Sequence, residues 1–152
     1  MNRILGFYDR GVAIAASRIP EAVALFLLRI APAGVFWRSG QTKVVEGSFF
    51  RIDPSQYDLF RSEFSGLPLD PVIAVPLTTF AEHFFPILLL FGLATRFSAG
   101  ALLVMTMVIQ IFVFPDAWWP VHSLWVAMAA ILIVRGGGLF SVDTLLARVR
   151  AK

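Results

Sequence analysis

The chain has 152 residues, of which 58% are apolar and 15% charged, and its mean hydropathy is +0.77. A soluble domain of this length needs polar side chains to cover its large exposed surface, whereas lipid needs none. The composition therefore favours an integral membrane protein over a soluble domain.

The absence of cysteine excludes disulfides, thiolate metal sites and dithiol electron transfer. With only His83 and His122 present, a metal site of histidines alone is excluded within one chain. Glu82 could join them, but no metal is predicted. The formal charge of +3 comes from scattered basic residues without a basic run, so nucleic acid is not an expected partner. Glycines 136–138 follow a predicted helix rather than a strand, so nucleotide binding is not expected.

Residues 1–19 precede the first long apolar stretch. Asp9, Arg10 and Arg18 interrupt the continuous apolar run of a signal peptide, so we expect the segment to stay attached. An amphipathic helix on the membrane surface and a solvated tail both fit its apolar residues Ile4, Leu5, Phe7 and Tyr8.

Four apolar stretches are candidates to cross the membrane, although the last is short for a crossing. They lie at about 21–41, 71–95, 97–114 and 121–134. The short links at Arg96 and at 115–120 make neighbouring stretches antiparallel. The sequence therefore predicts one all-α membrane domain over 1–152, an antiparallel four-helix bundle of up-down-up-down topology.

Residues 43–70 form the long connection between the first two crossings. Pro54, Gly66 and Pro68 punctuate this mixed-charge segment, and a short helix is expected from Ser55 to Phe64. We interpret the segment as an extramembrane cap.

Basic residues concentrate on the face of the bundle opposite the cap. They are Arg3, Arg10, Arg18, Arg96, Arg135, Arg148, Arg150 and Lys152. On the cap side, acidic residues offset Lys43, Arg51 and Arg61. The positive-inside rule then predicts a multi-pass protein of a bacterial inner membrane with both termini in the cytoplasm.

Ionisable residues inside a membrane span each require an explanation. Counting about 1.5 Å per residue along the helices places Arg29 and Glu82 at similar depth. The pattern therefore predicts a structural ion pair between Arg29 and Glu82, because each charge is tolerated only when it is paired.

The first crossing presents a stripe of residues at helical spacing: Arg29, Ala33, Phe36, Gly40 and Lys43. Gly34, Arg38 and Gln41 follow the adjoining stripe, and the glycines indicate either tight helix packing or a gap for a ligand ring. In the second crossing, Pro76 and Pro86 flank Glu82 and His83, which indicates either a polar niche or simple kinked packing.

A ligand site is predicted near the outer end of the bundle. Its candidate residues are Arg38, Gln41, Gln110, His122 and Trp125. Donors from Arg, Gln and His beside an aromatic ring suit the carbonyl oxygens and flat ring of a quinone, although interfacial His and Trp also serve as ordinary anchors. Glu82 and His83 are the candidates for handling protons, since a carboxylate in low dielectric is readily protonated.

Several short motifs resemble those of the DoxX family of small membrane proteins. They are Arg29-Ile30-Ala31 with Gly34, Phe36, Gly40 and Lys43, then Glu82, then the run from Leu88 to Arg96. The resemblance covers about residues 22–135. Where the family often has a histidine near the end of its third helix, this chain has Gln110 and reaches His122 only after the link.

The resemblance implies a four-helix bundle and an association with quinone-linked membrane oxidoreductase or stress-response complexes, such as thiosulfate:quinone oxidoreductase. The leading hypothesis is thus a quinone-binding membrane subunit that receives electrons from a separate redox protein. A non-catalytic anchor that holds soluble proteins at the membrane is the alternative. A small-molecule transporter is a third option and would require a homo-oligomer.

Overall fold

The computed structural model describes residues 2–49 and 51–151, with side chains described from residue 6 onward. The helices in this part of the chain are α1 (Asn2–Ala15), α2 (Arg18–Gln41), α3 (Ser55–Ser62), α4 (Pro71–Phe91), α5 (Thr95–Phe112), α6 (Ser123–Arg135) and α7 (Val142–Arg150). A 3₁₀ turn at Pro115–Ala117 and a π-helical turn at Trp118–His122 lead into α6.

Four helical stretches are long and apolar enough to cross a membrane: Arg18–Gln41, Pro71–Phe91, Thr95–Phe112 and Pro115–Arg135. Around the bundle α2 packs against α4, α4 against α5, α5 against α6, and α6 against α2. The predicted antiparallel four-helix bundle is therefore confirmed.

The helix ends differ from the predicted bounds for local reasons. Helix α4 ends at Phe91 rather than near Thr95, because Gly92 adopts a left-handed conformation with φ of 67°. The last crossing begins at Pro115, within the residues predicted to be a link, and its two irregular turns extend α6 to 21 residues. At about 1.5 Å per residue this length is sufficient for a hydrocarbon core about 30 Å thick.

All four crossing helices contribute to one apolar core. Its buried members are Leu25, Ala33, Phe36, Leu89, Ala99, Leu102 and Leu132. On the outside of the bundle large apolar side chains are exposed, such as Val72 at 61%, Phe80 at 58% and Val104 at 64%. Such a surface is unfavourable in water and matches the apolar interior of a bilayer.

The segment predicted to be a cap packs on one end of the bundle. An antiparallel bridge joins Val44 to Ile52, and Phe60 of α3 packs in a second buried cluster with Ala74 and Val75 of α4. Asp53 accepts hydrogen bonds from the Ser55 hydroxyl and amide, which lower the pKa of its carboxyl. The cap thus packs Phe60 against the N-terminal part of α4.

Helices α1 and α7 flank the bundle at the opposite end. Residues 6–15 of α1 are exposed, including the predicted surface residues Phe7 and Tyr8, while the side chains of Ile4 and Leu5 lie outside the described residues. In α7, the carboxylate of Asp143 accepts hydrogen bonds from the amides of Ala94 and Thr95 at 2.7 and 2.8 Å. Helix α7 therefore caps the start of α5.

Candidate ligand site

A cavity of about 500 Å³ lies in the half of the bundle nearer the cap. It is bounded by the C-terminal half of α2, by α4 and α5, and by Phe60 and Phe64 of the cap. Most of its lining is apolar, and its polar groups come from Ser39, Lys43, Thr78, Glu82 and His122. A volume of this size within an apolar wall is typical of sites that bind small organic ligands.

The cavity is open between α4 and α5. Leu77 of α4 and Val104 of α5 line it, yet they are 56% and 64% exposed. Since the exposed surface of these helices matches lipid, a lipid-soluble molecule can reach the cavity sideways from the bilayer.

One polar wall of the cavity is an ion pair between Lys43 and Glu82. The Nζ atom of Lys43 donates to Oε2 of Glu82 at 2.7 Å, and the Ser39 hydroxyl donates to Oε1 at 3.0 Å. Lys43 is 8% exposed and Glu82 3% exposed. Both carboxylate oxygens therefore have a donor, so the buried charge of Glu82 is neutralised and hydrogen-bonded.

Gly40 allows α2 and α4 to approach closely beside this ion pair. A Cβ atom at Gly40 would lie 2.8 Å from Cε1 of His83 and 3.2 Å from Cβ of Glu82, too close for a side chain without movement. Pro86 of α4 has no amide to bond the Glu82 carbonyl, so this carbonyl lacks the usual helical hydrogen bond. Of the predicted packing glycines, Gly34 has open space around it and makes no such approach.

The second polar wall contains His122 and Gln110. His122 closes the π-helical turn and is 3% exposed, and its Nδ1 atom lies 2.7 Å from Oε1 of Gln110. The Gln110 amide donates to the carbonyl of Pro115 at 2.6 Å. Trp125 packs against His122 with ring centroids 5.2 Å apart, and both residues line the cavity.

Only part of the predicted ligand set meets at this cavity. His122 and Trp125 line it, Gln110 stands behind His122, and Arg38 and Gln41 are exposed residues that do not line it. The physical reason is that Arg38 and Gln41 occupy the other face of α2 from Ser39 and Lys43, so a shared depth does not bring them to one site.

His83, predicted with Glu82 to handle protons, is separated from the cavity. Its Nδ1 atom bonds the Thr79 carbonyl at 2.7 Å, and its Nε2 atom lies 2.9 Å from Nε2 of Gln41. Its ring also contacts Trp37 edge to face at 5.1 Å. Glu82 lines the cavity and His83 does not.

The predicted ion pair between Arg29 and Glu82 is wrong. Arg29 is fully buried and donates to the carbonyl of Phe140 at 2.6 Å and to those of Leu89 and Leu90 at 3.4 Å each. Its guanidinium also stacks on the ring of Phe26 at 5.3 Å. Glu82 meets Lys43 instead.

The direction of side chains on antiparallel helices explains this correction. Side chains lean toward the N-terminus of their own helix. On α2 that lean carries Arg29 toward the end of α4 at Leu89, and on α4 it carries Glu82 toward Ser39 and Lys43. The side chains of residues at equal depth on antiparallel helices therefore point toward opposite ends of the bundle.

Lys43 and Ser39 are the site residues that sequence reasoning did not assign. Lys43 falls on the same predicted stripe as Gly40, so its orientation toward the second crossing was available from the spacing. Its position just past the end of α2 instead favours an assignment of Lys43 to the cap.

Within residues 2–49 and 51–151, no group of three His, Asp or Glu side chains could hold a metal ion.

Comparison with known proteins adds a family match to this geometry. A family model described as DoxX matches residues 24–116, which include most of α2 and all of the cap, α4 and α5. An uncharacterized protein of Haemophilus influenzae is 32% identical over 146 residues, covering 86% of this chain and 88% of that protein. No solved structure gives a significant match. The matched region contains Ser39, Lys43 and Glu82 but ends before His122.

Proposed function

The chain belongs to the DoxX family of membrane proteins, and we propose that it is a membrane subunit that binds a lipophilic ring, in the first instance a quinone. The observation that carries the proposal is an apolar cavity of about 500 Å³ with an ion pair on one wall and a histidine on the other. A quinone presents a flat apolar ring with polar oxygens at its ends, and this lining is complementary to it.

Three side chains of the cavity can each interact with a bound ring in a different way. The Lys43 ammonium can donate to a ring oxygen, Glu82 can accept a proton that leaves a bound ring, and Trp125 offers an aromatic face. A bound quinone would supply the capacity to carry two electrons and two protons. The chain's own residues hold the ring, exclude water and keep a carboxylate beside it.

The proposal includes a location and a partner. Arginines at 18, 96, 135 and 148 belong to the end of the bundle opposite the cap. From the positive-inside rule we propose that this end, with both termini, lies on the cytoplasmic side, and that the membrane is a bacterial inner membrane. The sequence has no cysteine and so no dithiol to pass electrons, and we propose that a separate redox protein of an oxidoreductase or stress-related complex supplies them.

Binding of a decyl-substituted benzoquinone to purified protein in lipid nanodiscs tests the proposal. Titration calorimetry against empty nanodiscs should give saturable binding, and Lys43→Met should weaken it roughly five- to tenfold because one charged donor is lost. The matched control is Arg38→Met, which removes an exposed charge one turn away that does not line the cavity. Absence of saturable binding by folded wild-type protein would refute the proposal and favour the non-catalytic anchor.

A further inference from the structure

Two glutamine–histidine pairs in the bundle differ in whether a ring nitrogen of the histidine remains free to bond a ligand. His83 pairs with Gln41 outside the cavity, and His122 pairs with Gln110 at the cavity wall. The hydrogen bonds around each pair determine which ring nitrogen carries the proton.

The orientation of the Gln110 amide follows from its contact with Pro115. A backbone carbonyl can only accept, so the group 2.6 Å from the Pro115 oxygen must be the NH₂ of Gln110. The amide oxygen then faces His122, where it can only accept. Nδ1 of His122, 2.7 Å away, must therefore carry a hydrogen.

A neutral imidazole carries one hydrogen, so Nε2 of His122 holds a lone pair. His122 is 3% exposed, and no carboxylate among the described residues contacts its ring, so a charged imidazolium would be costly there. Within the described part of the chain Nε2 has no hydrogen-bond partner, and the residue lines the cavity. Nε2 of His122 can therefore accept a hydrogen bond from a ligand in the cavity.

His83 has the same tautomer but no free acceptor. Its Nδ1 atom donates to the Thr79 carbonyl, and its Nε2 atom accepts from the Gln41 amide. It therefore serves as an internal control with both ring nitrogens occupied.

We propose that Gln110 holds His122 as a hydrogen-bond acceptor, so that the cavity selects ring ligands that bear a hydroxyl group, such as a hydroquinone or a phenol. This inference rests on the proposed function and specifies its ligand class. Gln110 is a positioning residue, because it stands behind His122 and acts on the ligand only through the imidazole.

Three probes that share the same decyl-substituted ring test the selection in nanodiscs without any substitution in the protein. They are a decyl-substituted benzoquinone, the matching hydroquinone under anaerobic conditions, and the dimethyl ether of that hydroquinone. The hydroquinone should bind roughly tenfold more tightly than either other probe, because only it donates to Nε2. Equal affinities for all three would overturn the inference and leave ring binding intact, whereas no binding of any probe would overturn both.

Substitution of Gln110 separates tautomer control from packing. In Gln110→Leu the ratio of the affinities for hydroquinone and quinone should fall toward one. Nitrogen NMR of histidine-labelled protein should show that the single hydrogen of the neutral His122 ring exchanges between its two nitrogens. The matched control, Gln41→Leu, alters the pair outside the cavity and should leave the preference unchanged. An unchanged preference and unchanged His122 spectrum in folded Gln110→Leu would contradict the role of Gln110.

Discussion

Arg29 and Glu82 are buried ionisable residues on adjacent crossing helices, and their charged groups have different kinds of partner. Among the described residues Arg29 forms no salt bridge, and it donates to three carbonyls, at Leu89, Leu90 and Phe140, while its Nε atom has no hydrogen-bond partner there. Glu82 has a basic partner, Lys43, and lines a cavity that is open toward lipid. The first charge is enclosed by backbone and the second is accessible to a ligand.

The two residues also differ in how much space surrounds their side chains. Gly92 lies against the guanidinium of Arg29 so closely that a Cβ atom there would overlap it, which leaves no space for a ligand. Around Glu82 the close approach at Gly40 is on one side only, and the other side is cavity. Arg29 therefore connects helices, whereas Glu82 combines a structural pairing with a place at the candidate site.

The largest expected effect is the loss of Arg29. Arg29→Met removes the donor for three carbonyls and leaves a gap in the core, so we expect the free energy of unfolding to fall by about 4 kcal/mol. Thermal unfolding in bicelles and accumulation in membranes measure it. Arg38→Met is the control and should change stability by less than about 0.5 kcal/mol, because that side chain is exposed. Equal stability of the two variants would contradict a structural role for Arg29.

A double-mutant cycle at Lys43 and Glu82 comes next in size. Lys43→Met leaves Glu82 with only Ser39 as donor, so we expect a loss of about 2 kcal/mol. Glu82→Gln leaves the ammonium without its counter-charge and should cost a similar amount. The double variant should lose less than the two single losses combined, because no unpaired charge remains. Additive losses would show that the pair is not coupled, and the same cycle at Arg29 and Glu82 should be additive.

The bundle could be predicted from the sequence because the length of the apolar stretches and the short links between them leave few alternative topologies. Residues 71–91 are predominantly apolar over a crossing length, and the turn before Arg96 can only produce a hairpin. The positions of the last crossing were less evident, because a proline pair at 115 and 120 is typical of a link. Here both prolines lie within irregular turns that continue into α6.

The candidate site could be predicted only in part because depth along a helix does not give the direction of a side chain. Arg38 and Lys43 are both basic residues near the end of α2, yet only Lys43 lies on the face toward α4. His122 and Trp125 were identified as a pair one turn apart, which is a local relation. The partner of Glu82 is a relation between two helices, and it depends on how they lean and cross.

The smallest expected effect concerns Gly40, which lies against Glu82 and His83 beside the cavity. Gly40→Ala should lower the free energy of unfolding by about 1 kcal/mol, since the added Cβ must displace His83 and Glu82. Gly34→Ala is the matched control: it lies on the same helix with open space around it, and it should be neutral or slightly stabilising. The displacement at Gly40 should also weaken quinone binding, whereas the guanidinium of Arg29 is too far from Gly40 to be disturbed. If both variants were equally stable with unchanged binding, the close approach of α2 and α4 would not position Glu82 at the cavity.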